Sequence, residues 1–128
     1  MGKQSEPLTE SYFYILMCLY NGANHGYGIM QMTERLSGGR VKIGSGTMYG
    51  ATGNMLKKGW IAESTDTDSS ERRRMYRLTD LGRQVFLEEY NRISALRESA
   101  RRIIEDPSAF QTAETTENGR LNPAVSHT

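Results

Sequence analysis

GSGTMYGATGNMLKKGW, residues 44–60, is the stretch on which the fold turns. Met48, Ala51, Thr52, Met55 and Leu56 recur at three- and four-residue steps, which predicts a helix over 45–58 with one greasy face. Gly59 supplies its stop. The opposite face carries Gly46, Gly50, Gly53, Asn54 and Lys57, with Thr47 and Lys58 alongside, so it is small, polar and basic. Gly50 and Gly53 sit inside the helix, where each costs roughly 1 kcal/mol relative to alanine. A helix that meets only solvent gains nothing from that cost. One lying on a phosphate backbone or a groove floor gains close approach. On that reading Asn54 addresses an adenine edge and the lysines neutralise phosphates. Tyr49, near the helix N-terminus where anions bind well, offers its hydroxyl to a phosphate. An ordinary amphipathic helix with incidental glycines and a rim tyrosine is the alternative, and this helix alone leaves the two level.

Outward toward the C-terminus lies RRRMYRLTDLG, residues 72–82. Ile61–Thr65 reads as a strand, DTDSSERR as a turn rich in breakers, and Arg74–Leu78 as the returning strand of a hairpin. Alternate strand residues share a face, so Arg72 and Arg74 point one way and Arg73 the other. Arg72 and Arg73 are expected to contact phosphate or the minor groove, and Arg74 to be structural; a merely solvated charge run is the plain alternative. Asp66, Asp68 and Glu71 share this turn and temper its non-specific affinity.

The flanking segments complete the order. Residues 8–21, LTESYFYILMCLYN, begin with a Thr9 cap and carry Tyr12, Ile15, Leu16 and Leu19 at helical spacing, with Phe13, Met17 and Tyr20 widening the apolar face. Asn21-Gly22 is read as a left-handed stop. A second helix is expected over 26–36, a short strand over 40–43, and a long last helix over 80–105, capped by Thr79. Residues 107–128 have little apolar content and no period, and are read as a disordered tail. The fold class is therefore mainly α with a small β-hairpin: a winged helix–turn–helix over 8–78 and a C-terminal dimerisation helix over 79–106.

The chain has 128 residues and a net charge of +1, so no global basic field advertises nucleic acid. A single cysteine, Cys18, cannot form an internal bridge, and the N-terminus lacks the apolar core of a signal peptide. A cytoplasmic protein with no membrane association is expected. Gly44, Gly46 and Gly50 give GxGxxxG rather than the GxGxxG of dinucleotide sites. His25 and His127 are the only histidines, so a catalytic triad or histidine metal site is poorly supported. His25 is expected to cap or pack at the second helix. Neither enzymatic activity, nor a cofactor, nor a metal is expected.

HGYGI at 25–29, GTMY at 46–49, KKGWI at 57–61 and RRRMYRLTDLG at 72–82 resemble the PadR-like transcriptional regulators over about residues 8–105. The resemblance implies a homodimeric winged-helix repressor of double-stranded DNA whose C-terminal helix packs on the partner subunit. It also implies release from DNA by small aromatic or drug-like ligands. The matching positions are Tyr27 and Gly28, Thr47 and Tyr49, and Arg72 and Arg73. Many members have proline and leucine where this chain has Gly50 and Thr52, and only one helix follows the wing, as in the compact branch of the family.

A dimer also follows from the last helix, where Phe86, Tyr90, Ile93, Leu96 (or Arg97), Ala100 and Ile103 form an amphipathic stripe wanting a partner. Tyr12 and Leu16 on the first helix are expected to complete that interface, and two reading helices would then face a pseudo-palindromic operator. Tyr12, Trp60, Phe86 and Tyr90 are the candidates for an apolar effector pocket, with plain core packing as the alternative. Two rival functions stand beside this one: a winged helix used only for protein contact, and a small-molecule binder without DNA activity.

Overall fold

The computed structural model describes residues 6–64 and 74–108. Its elements in chain order are α1 (Glu10–Cys18), β1 (Asn24–His25), α2 (Gly26–Leu36), α3 (Ser45–Lys58), β2 (Ile61–Glu63), β3 (Met75–Leu78) and α4 (Asp80–Glu105). The mainly helical expectation with a small sheet is met. The sheet has three strands rather than two, in the antiparallel order β1-β3-β2. The added strand pairs Asn24 with Tyr76 and His25 with Met75. Two residues carry no periodicity, so it left no trace in the sequence pattern.

Two local expectations are corrected. Residues 40–43 form no strand, and Val41 N instead donates to the Ser37 hydroxyl at 2.9 Å. The first helix ends at Cys18 through a right-handed cap at Leu19 (φ −101°), followed by tight bonds from Leu19 to Leu16 and from Tyr20 to Met17. Gly22 therefore does no left-handed work; the positive-φ glycines among the described residues are Gly38, Gly39 and Gly59. Gly59 ends α3 at φ 77°, as its position predicts.

Ile15, Leu16, Leu19, Ile29, Met55 and Ile61 are buried to 2% exposure or less and form the centre of the core. α1 supplies two of the six and its C-cap, Leu19, a third; α2 and α3 supply one each, and β2 the last. Cys18 is buried beside them, its Sγ 3.6 Å from the Thr33 hydroxyl, and burial pushes its thiol pKa up, which disfavours the thiolate. Thr52 is buried inside α3, and its hydroxyl donates back to the Met48 carbonyl at 3.1 Å.

Thr79 joins the hairpin to α4. Its hydroxyl donates to the Gly59 carbonyl at 2.6 Å and accepts from Gly82 N at 3.0 Å, capping α4 while holding the turn after α3. Gly82 then lies so close to the strand that an added Cβ would overlap the Trp60 carbonyl. Through Tyr90 the chain forms one compact unit, and Asn91 onward forms a second. The first three turns of α4 thus belong to the winged core, where Gly82, Phe86 and Glu89 are buried. In the second unit every described residue is exposed except the half-exposed Arg101. Arg101 pairs with Glu98 at 2.7 Å and Glu105 at 2.6 Å. The expected disordered tail lies, from residue 109 on, outside the described residues.

Candidate nucleic-acid interface

α3 turns Met48, Ala51, Thr52 and Met55 inward, which leaves Gly46, Thr47, Tyr49, Gly50, Asn54 and Lys57 exposed on the other side. A Cβ at Gly46, Gly50 or Gly53 would meet nothing within 4 Å. The chain's own packing therefore does not require glycine there. Helix propensity argues against it, so the bare backbone has no account within this one chain. Gly44 precedes α3 and makes no side-chain cap, which leaves the first N–H groups of the helix open at its positive end. Lys57 and Lys58 occupy the last turn and complement the other end of the dipole.

α2 enters the same face. The His25 ring caps it, Nδ1 accepting from Gly28 N at 3.0 Å, in accord with its expected role. That cap aims Tyr27 outward, 57% exposed, across from Tyr49, which is 76% exposed. The two rings border a cleft of about 390 Å³ between the starts of α2 and α3 and strand β3, floored by Met30, Met48 and Tyr76. Met30 and Tyr76 had no functional signal in the sequence, because a cleft floor and a core face share one periodicity.

Arg74 also borders this cleft and pairs with Glu63 across the hairpin at 2.8 Å, in the structural role expected of it. Arg72 and Arg73, at the tip of the expected wing, lie outside the described residues. Asn54 is exposed on α3, and its side-chain amide donates one of its two N–H groups to the Tyr12 hydroxyl of α1 at 2.9 Å.

The expected interface and pocket residues separate. Leu16 is fully buried in the chain's own core and has no surface to offer a partner. Phe86 is also buried, its ring 4.9 Å from Phe13 and 5.3 Å from Tyr20. Phe86 of α4 thus covers part of the surplus apolar face of α1 within one chain, and Phe13, Met17 and Tyr20 stay half-buried. Tyr90, Leu96 and Ile103 are more than half exposed, and Ile93 is 38% exposed. Of the effector candidates, Tyr12 and Trp60 border one cavity, while Phe86 and Tyr90 do not line it. Leu8, Lys58 and Val85 do, and nothing in the sequence pattern had assigned them to a pocket.

Among the described residues no group of three His, Cys, Asp or Glu side chains is placed to hold a metal. No helix among them is long and apolar enough to cross a membrane.

Comparison with known proteins fits this arrangement. A transcriptional regulator from Clostridium thermocellum shares the fold at a TM-score of 0.62, with 22% identity over 73% of this chain and 91% of that one. A PadR family regulator from Clostridium difficile does so at 0.62, with 21% identity over 75% of this chain and 99% of that one. Bacillus subtilis PadR in complex with operator DNA matches at 0.56, with 24% identity over 65% of this chain but 46% of that one. No functionally curated protein matches the chain in sequence. The family model of the transcriptional regulator PadR-like family matches residues 15–88, a span that runs from the core of α1 to the buried turns of α4 and includes the whole exposed face of α3. The chain belongs to the PadR-like family of transcriptional regulators.

Proposed function

We propose that the chain is a homodimeric repressor that binds a pseudo-palindromic operator and is released by a small aromatic effector, acting in the cytoplasm and without enzymatic activity. The observation that carries this reading is the outer stripe of α3: three glycines whose missing side chains the fold does not require, ending in Lys57. Bare backbone and a cation suit a phosphate-lined groove, where an added methyl would hold the helix off. Tyr27, Thr47 and Tyr49 flank the stripe, and the hydroxyls of the two exposed tyrosines are within the usual repertoire of phosphate donors. Arg72 and Arg73 are assigned to the same backbone contact from the wing.

The exposed apolar side chains of α4 support the dimer. Tyr90, Ile93, Leu96 and Ile103 leave a line of apolar surface in water, and a second copy would bury it isologously. Fluorescence anisotropy against the DNA immediately upstream of the reading frame, beside a scrambled duplex at two salt concentrations, tests the reading. Tighter binding to the upstream fragment that weakens with salt is expected. Salt-insensitive or absent binding to both duplexes would replace it with a protein-contact role.

A further inference from the structure

The first nine residues of α3, 45–53, contain no charged side chain and no amide. Asn54 is the helix's first amide and Lys57 its first cation. The N-terminal residues of a recognition helix are the ones that meet base edges in the major groove. Hydrogen-bond readout there rests mainly on Arg, Lys, Asn and Gln, the side chains that reach two groups of one base. α3 carries none of these in its first two turns, and the Asn54 amide in its third turn holds the Tyr12 hydroxyl at 2.9 Å. What the start of α3 offers instead is apolar. The cleft beside it runs between the exposed rings of Tyr27 and Tyr49 and is floored by Met30, Met48 and Tyr76. Arg74, which borders the cleft, is paired with Glu63 at 2.8 Å.

We propose that this cleft and the Tyr49 ring read thymine through its C5-methyl group, so that thymine methyls specify the operator where other readers use hydrogen bonds to guanine. The proposal rests on the DNA-binding reading above and names the base that it recognises. Among the groups that base pairs show in the major groove, the thymine methyl is the apolar one, and it is the group that rings, thioethers and a threonine methyl can distinguish. Thr47, exposed one turn into the helix, adds such a methyl. Gly46 and Gly50 stand beside Thr47 and Tyr49 in the chain, and their bare Cα atoms let the helix approach the base edges closely. The tyrosine hydroxyls remain available to phosphate, because ring and hydroxyl are separate ends of one side chain.

The full-length protein first selects duplexes from a random-sequence pool. A selected duplex is then synthesised twice, once with thymine and once with uracil throughout, which removes the methyls and keeps the charge and the base pairing. Anisotropy is expected to show the uracil duplex bound about 4-fold more weakly for each methyl that the cleft buries, and about 15-fold more weakly when two half-sites contribute. Tyr49→Phe keeps the ring and should keep that ratio, whatever loss of the hydroxyl does to both affinities alike. Tyr49→Ala removes the ring from an exposed position and should bring the ratio close to one. Equal binding of the two duplexes by the parent, or selected sites with no thymine in common, would overturn the methyl readout. A ratio that survives Tyr49→Ala would overturn its assignment to this cleft. A parent that enriches no sequence from the pool would overturn the DNA-binding reading, and this inference with it.

Discussion

α3 and the distal half of α4 both present a face that their own chain leaves uncovered, but of opposite kinds. α3 exposes bare glycine backbone, hydroxyls and lysine. α4 beyond Phe86 exposes leucine, isoleucine and tyrosine. Apolar surface left in water forgoes about 25 cal/mol for each Å² that could be buried, so the α4 face gains most from an apolar partner. Glycine backbone gains little from burial against apolar atoms, and lysine loses solvation there. The α3 face suits a polar, anionic partner that approaches closely. A protein can thus advertise two partners of different chemistry from two helices with similar amphipathic spacing.

The largest expected effect breaks the α4 side. Leu96→Glu with Ile103→Glu removes two apolar anchors, and at about 2 kcal/mol for each the association weakens roughly 1,000-fold. Sedimentation velocity would read this as a monomer, and circular dichroism would show unchanged helix content. Persistence of a dimer would move the interface off this face.

Next is Gly82, whose role contrasts with that of the α3 glycines. Gly82→Ala places a Cβ over the Trp60 carbonyl and 3.0 Å from the Leu78 side chain, and should destabilise the fold by about 2 kcal/mol. A chemical denaturation midpoint equal to the parent's would mean that α4 slides to accommodate it. Gly50→Ala and Gly53→Ala meet open space, and each should stabilise the protein by up to about 1 kcal/mol. The same two changes should weaken DNA binding. Higher stability with undiminished affinity would take the glycine stripe out of the interface.

The smallest effect concerns neither face and calibrates the others. Arg40 pairs with Glu10 on the surface at 2.5 Å and holds that carboxylate below its ordinary value of 4.5. A depressed folded-state pKa contributes stability at pH values above the unfolded one and loses it as pH falls through the folded one. Arg40→Gln should leave the melting temperature near its parent value at pH 7 and make its decline below about pH 4.5 slightly shallower. An equally steep acid decline would show that the pair is inconsequential.

Periodicity and boundary signals located α2, α3 and α4 nearly to the residue, since each is long and has one apolar face, with glycines just after α2 and α3 and a capping threonine before α4. The inward set Met48, Ala51, Thr52 and Met55 and the outward glycines were legible for the same reason. Three things were not. Strand β1 exists only because Tyr76 and Met75 offer it a partner, and two residues have no pattern of their own. Spacing marks a side chain as apolar without saying what covers it. Leu16 and Phe86 thus fell inside the chain, whereas Leu96, on the same kind of stripe, stayed in water. Asn54 was legible as a polar residue on the open side of α3, but its bond to Tyr12 joins positions 42 apart, and only packing α1 beside α3 brings them within reach. Local chemistry determined which segments are helices and which faces are greasy. Tertiary packing decided which of those faces are already satisfied, because burial depends on the neighbours the whole chain supplies.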